Sequence, residues 1–262
     1  MAWALVTGAA KRLGAVTALT FARSGYDVVV HYNTSKTEAE ARAREIEALG
    51  RKARALQGDL ADPAAIGRMF AALKGDGIAP AVLVNSASIF DYDTVETLTA
   101  ESLQRHYAAN TQGPMLLAQA FAAALPADQE GSIVNLLDQR LFNLNVDFVS
   151  YTLSKYALLG ATTILAMALA PRIRVNALAV GLTLQSAGQS AEAFERAHRL
   201  TPLGRGTRAE DVADAILFLA QNRSITGSTL TVDAGQSLDP RRRDVMFSYQ
   251  ETPLPKDPSS HE

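Results

Sequence analysis

Short apolar runs alternate with longer stretches whose apolar positions recur every three or four residues, and the alternation holds to about residue 238. The runs at residues 2–6, 27–32, 52–57, 81–85, 132–137, 174–179 and 229–232 read as strands. Between them, residues 14–24, 36–49, 63–74, 101–124, 150–169 and 209–220 carry the helical period. Runs such as Val28-Val29-Val30 and Ala81-Val82-Leu83-Val84 show no polar alternation, which a strand tolerates only with both faces buried. The pattern predicts an α/β chain: a doubly wound parallel sheet of about seven strands flanked by helices in a single domain over residues 1–238. Ligands of such sheets gather at the carboxyl ends of the strands.

Two regions depart from the alternation. Residues 182–208 form a polar connection with a short helix expected near 190–199, long enough to serve as a lid. Residues 239–262 are proline-rich and charged, and read as a flexible tail. The other reading of that tail is an apolar anchor at Val245-Met246-Phe247, docked on its own or a neighbouring subunit. Arg241-Arg242-Arg243 reads as a solvated charge run.

Composition narrows the function. With 262 residues, 48% hydrophobic and 20% charged, the chain has enough apolar matter for one large core. A net charge of −2 offers no general attraction to nucleic acid or an anionic membrane. The absence of cysteine excludes disulfides, thiolate metal sites and cysteine nucleophiles. Four histidines, at 31, 106, 198 and 261, are too scattered for a metal constellation. The first strand begins at once, leaving no room for a signal peptide, and the richest apolar run, residues 158–171, is short for a bilayer. A soluble, cytoplasmic protein is expected.

Candidate chemistry lies at the predicted strand ends. Thr7-Gly8-Ala9-Ala10-Lys11-Arg12-Leu13-Gly14 joins the first strand to the first helix, where glycines let backbone amides approach a pyrophosphate. The second strand ends in Tyr32-Asn33-Thr34-Ser35, without the carboxylate that would grip a ribose 2′-hydroxyl, and Lys11 and Arg12 lie in the facing loop. Neutral donors and cations there favour a 2′-phosphate, hence NADPH over NADH. Asp59-Leu60 and Asn85-Ser86-Ala87-Ser88 follow the third and fourth strands: Asp59 could accept from an adenine amino group, and Ala87 is small enough for close approach. Tyr151 and Lys155 stand four apart on one helix, so an ammonium can sit beneath a phenol and bring its pKa down toward working pH. Asp138 lies thirteen residues before the tyrosine.

With these residues placed, the chain resembles the short-chain dehydrogenase/reductase family over about residues 2–238. The matching motifs are the Thr-Gly turn, Asp59, the Asn85 segment, Asn110, Tyr151-x-x-x-Lys155 and Val232-Asp233-Ala234-Gly235. The resemblance implies a Rossmann-like subunit, a nicotinamide cofactor and a homotetramer. Arg12 in the phosphate loop, the Ser88-Ile89-Phe90 segment and Asp138 in place of the usual serine resemble the pteridine reductases, dihydromonapterin reductases among them. By that resemblance Phe90 stacks on a pterin, Arg12 and Ser88 contact pterin or cofactor phosphates, and Asn33, Thr34 and Ser35 hold the 2′-phosphate. Asn110 is then a helix-bending proton-relay residue and Gly181 and Thr183 lie beside the carboxamide, although Val180-Gly181 replaces the family's Pro-Gly.

Ketone reduction develops negative charge on oxygen, which a serine hydroxyl stabilises and an ionised aspartate repels. Pterin reduction delivers hydride to carbon and a proton to ring nitrogen, and a carboxyl group can take part in that. The expectation is an NADPH-dependent pteridine reductase with Asp138, Tyr151, Lys155 and Asn110 as catalytic residues, and Phe90, Phe142 and Phe148 as pocket wall. Taken alone, the residues also allow Asp138 as a turn cap, Asn110 as a buried amide and Phe90 as core. The competing functions are a reductase of 3-oxoacyl or other carbonyl substrates, and a silent NADPH-sensing protein.

Overall fold

A computed structural model of the chain describes residues 2–185 and 189–247. Its seven strands are β1 (Trp3–Val6), β2 (Asp27–Tyr32), β3 (Ala53–Gln57), β4 (Pro80–Asn85), β5 (Gly131–Asp138), β6 (Ile173–Val180) and β7 (Thr229–Val232). All pair in parallel, in the spatial order β3-β2-β1-β4-β5-β6-β7. The predicted doubly wound sheet is therefore the fold. The order reverses between β1 and β4, and the crevice beyond their carboxyl ends is where such sheets bind ligands.

Alternate side chains of each inner strand enter different layers. Ala4, Val6, Val28, Val30, Val82 and Val84 pack under α1 (Arg12–Arg23), α2 (Lys36–Ala48) and α8 (Ala209–Gln221). Leu5, Val29, Leu83, Ile133 and Val175 pack on the other face, under α3 (Pro63–Gly75), α5 (Gly113–Ala124) and α6 (Val149–Leu169). This two-sided burial is why the strands read as unbroken apolar runs. The helix expected near 190–199 is α7 (Ala191–Arg199), capped by the Ser190 hydroxyl, which accepts from Ala193 N at 3.1 Å.

Three expectations need correction. The stretch 101–124 is not one helix: α4 (Ala100–Tyr107) passes into a π-helical turn at Ala108–Gln112 before α5. The wider turn lets the buried Asn110 side chain aim out of the helix at a neighbouring loop. The first helix starts at Arg12, two residues earlier than the pattern suggested. Finally, α6, at 21 residues, is by length and composition apolar enough to cross a bilayer, contrary to the sequence reading. It nevertheless carries the buried Tyr151 and Lys155 and packs along β5 and β6.

Candidate active site

The chain turns at Thr7, whose Oγ1 accepts from the amides of Ser86 and Ala87, each at 2.9 Å. That hydroxyl ties the loop after β1 to the loop after β4. Gly8 has φ +64°, and a Cβ there would meet the Ala87 backbone at 3.1 Å. A Cβ on Gly14 would lie 2.3 Å from the Gly8 carbonyl oxygen, so helix and loop touch backbone to backbone. Arg12 takes a left-handed φ of +53°, and α1 opens there with no acidic residue in its first turn. The positive end of α1 thus faces the cleft with no carboxylate in its own first turn to repel an anion.

His31, at the end of β2 and 1% exposed, braces this loop. Gly8 N donates to its Nδ1 at 3.2 Å, which leaves the proton on Nε2, 3.0 Å from the Gly58 carbonyl oxygen. Burial pushes its pKa down to about 4 against the opposing pull of Gly58 and Asp59, so the ring is neutral at physiological pH. Sequence reading passed over this residue as one of four scattered histidines; nothing local signals that its two nitrogens join two separate strand ends.

A cleft of about 530 Å³ runs along the carboxyl ends of the strands. Gly8, Lys11, Arg12, Leu13, Asn33, Asp59, Leu60, Ser86, Ala87, Gly181 and Thr183 all line it, as the motifs led one to expect. Four other expected cofactor residues do not. Asn85 points into the sheet, donating to Asn135 Oδ1 at 2.8 Å. Tyr32 packs against the core, and Thr34 and Ser35 form the turn into α2. Lys11 is paired with Glu38 at 2.7 Å, and Arg12 donates to the Gln185 carbonyl at 2.9 Å, tying the phosphate loop to the segment after β6. Backbone amides, small residues and an open helix terminus suit a dinucleotide lying along this cleft.

At the other end of the cleft, β5 terminates at Asp138. Its Oδ1 accepts from Arg140 N at 2.9 Å, capping the short 3-10 turn Gln139–Phe142. Its Oδ2 accepts from the Tyr151 hydroxyl at 3.0 Å. The cap and the site partner are thus one residue, with one oxygen in each role. Asp93 sets the start of α6: Ser150 donates to it through its backbone N, at 3.0 Å, and through its hydroxyl. Lys155, 3% exposed, donates from Nζ to the Leu136 carbonyl at 2.8 Å and lies 5.7 Å from the centre of the Tyr151 ring.

The electrostatics differ from expectation. Burial first, and then the Asp138 carboxylate, push the Tyr151 pKa well above its ordinary 10, with Arg140 opposing. The expected lowering by Lys155 does not carry, because burial brings the lysine itself down to about 8. Tyr151 therefore holds its proton firmly and donates it to Asp138.

Asn110 faces neither Tyr151 nor the cleft. Its Oδ1 accepts from Ile89 N at 2.9 Å and the Ser88 hydroxyl at 3.0 Å, while Nδ2 donates to Ile89 O at 3.0 Å and Ser154 Oγ at 3.1 Å. It clamps the Ser88–Ile89 loop, which presents Ser88 and Phe90 to the cleft. Phe90 stands edge-on to Tyr151, ring centres 4.6 Å apart, with Phe148 stacked behind it at 4.1 Å. Phe148, expected in the wall, is one layer back, and Phe142 is exposed outside the cleft. Arg140 and Asp244, which no motif marked, do line it. The tail is not uniformly loose: residues 239–247 fold back on the domain, where Arg243 pairs with Asp147 and Arg241 with Asp239, while Arg242 and Arg243 remain exposed as the charge run led one to expect. Residues 248–262 lie outside the described residues.

An apolar-faced dinucleotide cleft ending in a tyrosine–lysine helix defines a nicotinamide-dependent oxidoreductase. The chain belongs to the short-chain dehydrogenase/reductase family. A family model described as enoyl-(acyl carrier protein) reductase matches residues 8–237. Among solved structures, FolM alternative dihydrofolate reductase 1 from Brucella canis, complexed with NADP, is 40% identical. It superposes with TM-score 0.88 over 93% of this chain and 96% of that one. An uncharacterized oxidoreductase of Methylorubrum extorquens is 35% identical over 88% of this chain and 96% of its own length. A 3-oxoacyl-[acyl-carrier-protein] reductase of Synechocystis is 32% identical over 88% of this chain and 95% of its own length.

Proposed function

We propose that the chain is an NADPH-dependent pteridine reductase, reducing a dihydropterin such as dihydromonapterin, dihydroneopterin or dihydrobiopterin to the tetrahydropterin. The observation that carries this reading is the 3.0 Å bond from Tyr151 to Asp138. A carboxylate beside the acid disfavours a ketone oxyanion but serves a ring that gains its proton on nitrogen. The exposed face of Phe90 offers a flat aromatic wall beside this pair. The similarity to a FolM-type protein held with NADP supports both substrate class and cofactor.

NADPH, when bound, supplies the hydride. The chain's residues then do the rest. Tyr151 and Asp138 hold a shared proton beside the substrate ring and deliver it to N5, and the Lys155 ammonium beneath them stabilises the negative charge left behind. Asn110 keeps Ser88 and Phe90 in place. Gly8 and the start of α1 would hold the pyrophosphate, and Asn33 with Lys11 the 2′-phosphate. An exposed, solvent-screened pair such as Lys11–Glu38 contributes little, so a phosphate can readily displace the glutamate. The apolar residues Leu153, Ile164 and Met167, exposed on α6, support the homotetramer the resemblance implies.

A second reading, reduction of 3-oxoacyl or other carbonyl substrates, draws on the Tyr151–Lys155 pair and on the Synechocystis relative. Steady-state NADPH oxidation with the three dihydropterins and a 3-oxoacyl thioester separates the two. Turnover of a pterin supports the proposal; turnover of the thioester alone defeats it.

A further inference from the structure

Beyond the turn Gln236–Leu238, residues 239–247 return to the substrate end of the cleft and are fastened there. Arg140, 2% exposed, lies against the Phe148 ring with its guanidinium carbon 4.9 Å from the ring centre. It donates from one terminal nitrogen to Asp147 O at 2.9 Å and from the other to Asp244 Oδ2. Its Nε has no hydrogen-bond partner and lies 4.0 Å from Asp138 Oδ1. A second fastening stands alongside: buried Asp147 accepts from Arg243 Nε at 2.9 Å and from Asp244 N at 2.7 Å. Phe247 closes against Tyr92, ring centres 5.1 Å apart. Between these fastenings Asp244, Val245 and Met246 face the same cleft as Asp138, Phe90 and Tyr151.

The buried Arg140–Asp244 pair adds little net stability over apolar packing, but its directionality, with the half-exposed Arg243–Asp147 pair beside it, fixes one register of a segment that has no regular structure. We infer that residues 239–247 are a specificity strap, latched by Asp244–Arg140 and Arg243–Asp147, whose Val245 and Met246 form the wall that limits the substrate's side chain. Asp244 holds the Arg140 guanidinium in an ion pair, so Arg140 offers no cation to an anionic tail. The strap therefore selects dihydropterins with short, uncharged side chains over dihydrofolate, which carries a long anionic one. This rests on the pterin-reductase reading of the Asp138–Tyr151 site.

Two measurements test it. The first is limited trypsin digestion, which reads docking without any substrate. The Arg241-Arg242-Arg243 run is expected to resist in the parent protein and to be cut about tenfold faster at Arg241 and Arg242 in Arg243→Gln. Equal rates in the two proteins would overturn the latch. The second compares kcat/KM for dihydromonapterin and dihydrofolate. Met246→Ala is expected to shift the ratio about tenfold toward dihydrofolate, with the NADPH dissociation constant, read by fluorescence, within about twofold of the parent. An unchanged ratio would overturn the wall. If no pterin is turned over, the functional reading has failed; the digestion still decides the latch, and the same comparison with a short and a long anionic carbonyl substrate decides the wall.

Discussion

Replacing His31 with asparagine isolates the brace that joins the loop after β1 to the loop after β3. In the folded chain the histidine pKa is lowered from 6.5 to about 4, because a ring buried away from water would carry its charge without hydration. The sign follows from proton binding. Between those two values the unfolded chain holds a proton at His31 that the folded chain does not. Stability is thus fully present above 6.5 and is lost as pH falls toward 4, by about 3 kcal/mol in all. Asparagine does not titrate. It can still accept from Gly8 N but does not reach the Gly58 carbonyl, and stranding that buried acceptor costs roughly 1–3 kcal/mol at neutral pH. Urea unfolding of both proteins without ligand, at one protein concentration, should show His31→Asn the less stable at pH 7. The difference should move by about 3 kcal/mol in favour of the variant on going to pH 4, so that it vanishes or changes sign. A gap that is the same at both pH values would refute the argument, because the ring would then not be held neutral by burial.

Two other substitutions probe the ends of the cleft. The Lys155 ammonium, lowered to about 8, is charged below that pH and neutral above it, so kcat should fall through a basic limb near pH 8. Lys155→Met should remove that limb and lower kcat roughly 10²-fold, as a pH–rate profile would show. Gly14→Ala places a methyl 2.3 Å from the Gly8 carbonyl oxygen, forcing α1 off the loop. It should cost about 1–3 kcal/mol by thermal unfolding and weaken NADPH binding more than it changes kcat.

The fold was largely legible because two-sided burial writes itself into strands as unbroken apolar runs, and every strand position followed from them. Glycines at 8 and 14 and the Asp138, Tyr151 and Lys155 spacing marked the two ends of the cleft for the same reason: backbone approach and helix period are local. What escaped depends on partners far along the chain. The break at Asn110 answers to Ser88 and Ile89, the start of α6 to Asp93, and the phosphate loop to His31. Docking of residues 239–247, the second of the two readings of the tail, also depends on distant partners, Asp147 for Arg243 and Arg140 for Asp244. Desolvation of Tyr151 is likewise a property of packing, so a lysine four residues away gave the wrong direction for its pKa.

The central claim is that Asp138, bonded to Tyr151, sets the substrate class. It is tested most directly by the ratio of kcat/KM for dihydromonapterin to that for a 3-oxoacyl thioester, in the parent and in Asp138→Ser, with NADPH binding followed alongside. The account predicts a ratio well above one in the parent that falls roughly 10²-fold in the variant, at nearly unchanged NADPH affinity. A ratio unchanged by the substitution, or a parent enzyme that reduces only the thioester, would contradict it.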